Sequence, residues 1–188
     1  HGKTTTSSMT AWLLHAAGLN PGFMIGGITG NFGTNHQVTE GSVFVLEGDE
    51  YDTAYFDRGP KFLHYQPQTA SINNIEFDHA DIFSDIDAIE AAFTRFAALI
   101  PKDGRLIIPA GDARVARVAE HASGAVWTFG VDQEADVVAR HVVAHDAGVS
   151  FELELPDHRP LATGLSVWGA HNINNALTAA ALAYSAGA

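Results

Sequence analysis

The sequence predicts an α/β fold: a layered domain of the phosphate-loop type, its mostly parallel sheet flanked by helices, with a small antiparallel portion near residues 137–167. Three observations predict it. Short apolar runs stop abruptly at polar residues, as Val43-Phe44-Val45-Leu46 does at Glu47, which is how a buried parallel strand reads. Such runs alternate with segments of helical spacing, and that alternation layers helices on a sheet. From residue 137 to 167 the helical signal drops out and strand-like segments follow one another, as hairpins do.

The elements follow in order. After Lys3 a helix runs to about residue 17, with Met9, Leu13, Ala16 and Ala17 on one side and Gly18 as its terminator. Residues 20–41 are rich in Gly and Asn and read as a long loop holding at most short strands. The apolar run at 43–46 comes next, then a second at 69–73 that stops at Asn73-Asn74. Ser84-x-x-Asp87 reads as a capping box, and Ile86, Ile89, Phe93, Phe96 and Ile100 follow at helical spacing until Pro101. Gly104 turns the chain into a strand at 105–108. A helix at 113–121 and a strand at 126–129 continue the alternation, and a last helix opens near Asn172. The runs 43–46, 69–73 and 105–108 are expected to share one parallel sheet, flanked by the helices near 5–17 and 85–100.

Composition narrows the function. A chain of 188 residues suffices for one domain with a sizeable core. With 46% hydrophobic and 17% charged residues it is globular rather than disordered. Twenty-two acids against ten bases leave a net charge of −12, which argues against a nucleic-acid partner, whose affinity comes largely from Lys and Arg. An acidic protein can still bind nucleotide if Mg²⁺ and backbone N–H groups neutralise the phosphates. The absence of Cys excludes disulfides, thiolate chemistry and cysteine-ligated zinc, and it fits a reducing cytoplasm. The richest apolar stretch, 176–183, is too short to span a membrane and is interrupted by Thr178. The chain opens at His1-Gly2-Lys3-Thr4 with neither Met nor a signal peptide, and it closes in a helix that simply stops. Both ends read as cuts, which puts the strand feeding a phosphate loop upstream of residue 1.

Four segments hold residues capable of chemistry. Gly2-Lys3-Thr4 reads as the tail of a phosphate loop or as an ordinary helix N-terminus. In a phosphate loop, backbone N–H groups surround the phosphates, Lys reaches the β and γ oxygens, and the Thr hydroxyl ligates Mg²⁺. Glu47-Gly48-Asp49-Glu50-Tyr51-Asp52 directly follows an apolar run, and ligands of open α/β sheets bind beyond such strand ends. A carboxylate there can hold Mg²⁺ directly or through water, and the alternative is a solvated acidic loop. His79, at the end of Asn-Asn-Ile-Glu-Phe-Asp-His, also follows a strand-like run and reads as a metal ligand, a phosphate contact or a surface histidine. Asn172 and Asn175 sit on one helical face, and their amides complement an adenine edge; an N-cap would explain one of them but not both. His141-x-x-x-His145 has zinc-like spacing only on a helix, and 137–143 favours a strand.

HGKTTT, FVLEGDEYD, NNIEFDHAD and GAHNINNA, in this order, resemble the motifs of the Mur ligase central domain, the ATP-binding domain of cell-wall amide-bond ligases. They span residues 1–176. Within that family, EYDTAYFDRGPKFLHYQPQTASINNIEFDHADIF and GGITGNFGTN are most similar to the branch that recycles murein tripeptide. The insertion near 56–62 is longer than the alanine-adding branch carries. The resemblance implies an ADP-forming ligase that joins UDP-N-acetylmuramate to L-alanyl-γ-D-glutamyl-meso-diaminopimelate in the cytoplasm, with ATP and Mg²⁺ as cofactors.

It also implies roles for residues. His1, Gly2, Lys3, Thr4 and Thr5 would surround the nucleotide phosphates, with Lys3 stabilising charge on the transferred phosphoryl group. Thr4 and Glu47 would hold one Mg²⁺, His79 would help hold a second, and Asn172 and Asn175 would fix the adenine. Residues 1–188 would form one central domain, with the N-terminal uridine-nucleotide domain and the C-terminal domain lying outside them. There is one departure. Several family members carry a carbamylated Lys on the helix after the D-H motif, but the lysines here are Lys3, Lys61 and Lys102. The second metal's ligand set therefore stays open. So do two rivals, an alanine-adding ligase and a non-catalytic nucleotide-binding domain. A GTPase-type switch is set aside, because no N-K-x-D motif occurs.

Overall fold

In the computed structural model the first helix, α1 (Lys3–Ala16), begins on the lysine of HGKTTT and closes in a Schellman motif. Leu19 N–H donates to Leu14 O at 3.0 Å and Gly18 N–H donates to His15 O at 2.9 Å. Its buried face is not the expected stripe of Met9 and Leu13. Thr6, Thr10, Ala11 and Leu14 are buried, whereas Leu13 is 38% exposed. Thr6 can go inside because its hydroxyl is bonded to Asn175, and Thr10 because a hydroxyl bonded back to its own helix presents mainly a methyl group outward. Thr10 Oγ1 donates to Thr6 O at 2.8 Å.

Residues 1–76, 83 and 85–188 are described, in two units: His1–Glu47 with Trp127–Ala188, and Gly48–Val126. The first unit continues from α1 into β1 (Gly22–Met24), β2 (His36–Gln37) and β3 (Phe44–Leu46). β1 is the centre of this sheet, antiparallel to β2 and parallel to β3. Phe23 and Ile25 join Ala11 in a small core against which Val45 and Phe32 pack. Phe44 and Leu46 alternate to the other face and are 55% and 39% exposed, so β3 is not buried on both faces as its apolar run suggested.

The second unit holds a hairpin, β4 (Asp52–Ala54) with β5 (Asp57–Pro60), then a 3₁₀ turn at Lys61–His64. It also holds β6 (Thr69–Ser71), α2 (Ile86–Ala97), β7 (Arg105–Pro109) and α3 (Ala113–Ala119). β6 and β7 are parallel, with Ala70 opposite Leu106. Of the three runs expected in one sheet, these two share one and β3 belongs to another. The reason lies in β1, a strand too short to stand out from its glycine-rich surroundings, which takes β3 as its partner. The cap of α2 is Asp85, whose carboxylate accepts from Ala88 N–H at 2.8 Å; the expected Ser84 lies outside the described residues. Asp112 caps α3 in the same way. The core of this unit is apolar, with Phe62, Ile72, Ile89, Phe96, Leu106 and Val115 among its buried members.

Back in the first unit, β8 (Ala125–Val131) lies parallel to β9 (Val137–His145), and β10 (Gly148–Glu154) and β11 (Leu161–Leu165) add antiparallel strands. The expected antiparallel portion near 137–167 is these three. The chain ends in α4 (Ala170–Ser185), which packs against α1. Parallel pairs flanked by helices, with one antiparallel extension, give the α/β class read from the sequence. Among the described residues no helix is long and apolar enough to cross a membrane.

Candidate functional site

The polar residues of the first unit gather where α1 begins. Gly2 precedes the helix in the left-handed region at φ 79°, a conformation that glycine adopts without strain. Lys3, Thr4 and Thr5 form the first turn, which has no acidic residue of its own at the positive end of the helix. Thr6 N–H already bonds to Gly2 O at 2.9 Å, so the helical ladder is drawn up to the glycine itself.

Glu47 arrives from the end of β3, its N–H held by Met24 O at 3.1 Å. Both carboxylate oxygens are engaged. Oε1 accepts from Thr4 Oγ1 at 2.9 Å, and Oε2 accepts from Gly26 N–H at 2.7 Å. Two of the residues singled out in sequence, far apart along the chain, are thus brought into direct contact. A hydroxyl and a carboxylate are hard oxygen donors, the kind that Mg²⁺ takes one or two at a time with phosphate and water completing its shell. Their side chains fit such an ion. Among the described residues, no group of three or more His, Asp or Glu side chains forms a self-sufficient metal cage.

Asn172 and Asn175 open α4, whose N-cap is Gly169 rather than either asparagine. Asn175 is 7% exposed. Its Oδ1 accepts from Thr6 Oγ1 at 3.3 Å, and its Nδ2 donates to Asn172 Oδ1 at 3.4 Å. Asn172 Nδ2 in turn donates to Trp168 O at 2.8 Å. A β-carbon added to Gly2 would run into Asn175 Oδ1, so the start of α1 and the first turns of α4 are in close contact. His1 is exposed ahead of the glycine. His79 lies outside the described residues.

Of the acids after Glu47, Asp49 serves local structure in the second unit. Asp49 accepts from Tyr51 N–H and from Lys61 Nζ, each at 2.8 Å, which fastens the base of the hairpin. The hydrogen bond that Lys61 donates to Asp49 raises the Lys61 pKa, and burial raises that of Tyr65. His141 and His145 are exposed on a strand, His141 at φ 53°, and do not form a helical pair.

Sequence reasoning missed two features here. Gly26 contacts Glu47 through its backbone, which no side-chain signal announces. Phe32, in the glycine-rich loop, packs among Phe23, Trp12 and His15; aromatics one turn apart on α1 were the available hint.

Comparison with known proteins follows from this geometry. Residues 1–183 match the family described as Mur ligase middle domain. The UDP-N-acetylmuramate–L-alanyl-gamma-D-glutamyl-meso-2,6-diaminoheptandioate ligase of Escherichia coli K12 is 38% identical over 193 residues, covering 100% of this chain and 40% of that protein. A UDP-N-acetylmuramate–L-alanine ligase of Xylella fastidiosa is 37% identical over 188 residues, covering 100% of this chain and 38% of that protein. The crystal structure of the UDP-N-acetylmuramate:L-alanyl-gamma-D-glutamyl-meso-diaminopimelate ligase from Neisseria meningitides superposes with a TM-score of 0.87 at 38% identity, covering 100% of this chain and 60% of that one. The chain spans about 40% of the length of the first curated relatives it matches.

Proposed function

The chain belongs to the Mur ligase family, as its middle domain, and from that premise we propose that it is the ATP-handling part of an ADP-forming amide-bond ligase. The proposed reaction joins UDP-N-acetylmuramate to the tripeptide L-alanyl-γ-D-glutamyl-meso-diaminopimelate, in the cytoplasm, as a step of cell-wall recycling. The uridine-nucleotide and amine sites would lie in domains outside residues 1–188. One observation carries the catalytic part of this reading: Thr4 and Glu47 meet at 2.9 Å at the N-terminus of α1.

On this reading a carboxylate oxygen of the muramyl group takes the γ-phosphoryl group of ATP and ADP leaves. The peptide amine then attacks the acyl carbon, phosphate leaves from the tetrahedral intermediate, and the nitrogen gives up a proton. Gly2 and the first N–H groups of α1 cradle phosphate oxygens. Lys3 offsets charge on the transferred group. Mg²⁺, when bound, neutralises the β and γ oxygens. Thr4 and Glu47 are the residues proposed to hold it, with His79 proposed for a second ion or a phosphate. Asn172 and Asn175, beside the same helix end, are the proposed contacts of the adenine.

Identity separates the tripeptide and L-alanine ligases little, so what favours the tripeptide reading is the insertion near 56–62, not a contact with the amine. Residues Asp52–Ala54 and Asp57–Pro60 form a complete hairpin there, stapled by Asp49 and Lys61. The test is ADP release by the full-length enzyme with UDP-N-acetylmuramate and either amine. The tripeptide should be preferred in kcat/KM by about 100-fold or more. The opposite preference would make it an alanine-adding ligase, and no ADP with either amine would favour a non-catalytic nucleotide-binding domain.

A further inference from the structure

The glycine-rich loop between β1 and β2 is closed by its own backbone. Ile25 N–H donates to Asn35 O at 2.9 Å, Thr29 N–H to Thr34 O at 3.1 Å, and Gly33 N–H to Thr29 O at 2.8 Å. Buried Thr29 adds its hydroxyl to Thr34 O at 2.8 Å. Bonded in this way, the loop is tied across itself by three backbone hydrogen bonds.

It is attached at two points. At one, Gly26 N–H holds Glu47 Oε2. At the other, the Phe32 ring is gripped on several sides, 4.7 Å from Phe23, 5.7 Å from Trp12 and 5.5 Å from His15. Trp12 and His15 stack on each other at 5.5 Å, on the opposite end of α1 from Thr4. Trp12, 40% exposed, meets the Phe32 ring edge-on. Offset and edge-on pairs of this kind each contribute about 0.5–1.5 kcal/mol beyond the area they bury.

Resting on the reading of Glu47 as a metal-holding carboxylate, we infer that Phe32 is a positioning residue for Glu47. The clasp of Trp12 and His15 on Phe32 fixes the loop to α1, and the loop presents Gly26 N–H to the carboxylate. One helix thereby sets both oxygens, Oε1 directly through Thr4 and Oε2 through the loop. Near the same end the loop touches α1 again, since a β-carbon on Gly27 would lie 3.1 Å from Thr4 Cγ2. A carboxylate held on both sides has little rotamer freedom left to lose when it takes a cation. Releasing Phe32 returns that freedom and weakens cation binding, while the phosphate contacts of α1 stay as they were.

The experiment measures Mn²⁺ binding to the full-length enzyme with ADP present, by calorimetry, beside amide hydrogen exchange of residues 26–33. Phe32→Ala should weaken Mn²⁺ by about 10-fold, the lower end for partners that orient a metal ligand. It should also speed exchange at Gly26 and leave the affinity for metal-free ADP within about twofold. Phe32→Tyr should restore both readings. If Phe32→Ala fails to fold, Phe32→Leu, which removes the ring and keeps most of the volume, carries the same expectation at smaller size. Wild-type Mn²⁺ binding in the folded variant, or equal loss of Mn²⁺ and of metal-free ADP, would overturn the inference. Glu47→Ala is the control that separates the two ideas. If it abolishes Mn²⁺ binding while Phe32→Ala changes nothing, only the clasp is wrong; if Glu47→Ala itself binds Mn²⁺ normally, the metal reading falls too.

Discussion

The two units bury their helices by different means. In the second, α2 turns Ile89, Ala92, Phe96 and Ala97 inward, and Phe62 packs on Phe93 and Phe96 with ring centroids 5.3 and 5.0 Å away. Those on α2 are all apolar and at helical spacing. In the first, the buried faces of α1 and α4 mix Leu14, Ile173 and Leu177 with Thr6, Thr10, Ala11, Asn175, Thr178 and Ala181. The polar atoms among them find partners close by. Thr178 Oγ1 donates to Asn174 O at 2.9 Å, as Thr10 does to Thr6. The difference is one of polarity. The second unit fills its core with apolar side chains, rings among them. In the first, small and polar residues lie where the start of α1 and the first turns of α4 approach each other.

The largest expected effect breaks chemistry and leaves packing alone. Lys3→Ala in the full-length enzyme should lower kcat by about 10²–10³-fold, the size of losing one preorganised charge partner, with an unchanged melting temperature. A near-normal kcat would reduce Lys3 to a helix-start residue. The mirror-image variant sits in the other unit. Phe96→Ala removes a ring that is 8% exposed and should destabilise the protein by about 3–5 kcal/mol, read from denaturant unfolding. A cost below about 1 kcal/mol would mean that the apolar core is looser than its burial indicates.

The smallest effect sharpens the comparison within α1. Thr10 gives its hydroxyl to its own helix, whereas Thr6 gives it across to Asn175 at 3.3 Å. Thr10→Val should cost under about 1 kcal/mol, since the freed carbonyl keeps its helical partner. Thr6→Val should cost more, about 1–2 kcal/mol, because Asn175 Oδ1 is left buried without that donor. Equal costs would show that the seam does not depend on the crossing bond.

These contrasts also decide what could be read from the sequence. α2 was legible almost to its ends, because Ile86, Ile89, Phe93 and Phe96 mark one face of a helix. The inward face of α1 was not, because Thr6 and Thr10 score as polar although both lie buried with their hydroxyls bonded. β3 was legible as an apolar run, but its partner β1 was hidden: three residues, Gly22, Phe23 and Met24, give periodicity nothing to work on. At the site, Thr4 and Glu47 could be proposed from motif and strand end. Gly26 could not, since its contribution is a backbone N–H whose direction depends on a fold no local pattern encodes.

The close approach of Gly2 to Asn175 carries a consequence for how this chain can change over time. Every replacement for glycine brings a β-carbon, and at position 2 that carbon collides with the Asn175 amide while the backbone sits at φ 79°. No single substitution there is a small step. A random walk through sequence space can cross Thr10 or Thr178 in increments, trading one small residue for another. At Gly2 it meets a wall, because the nearest alternative displaces the buried Asn175 amide and strains a left-handed backbone at once. The helix seam has neighbours to explore, and the loop that it supports has none.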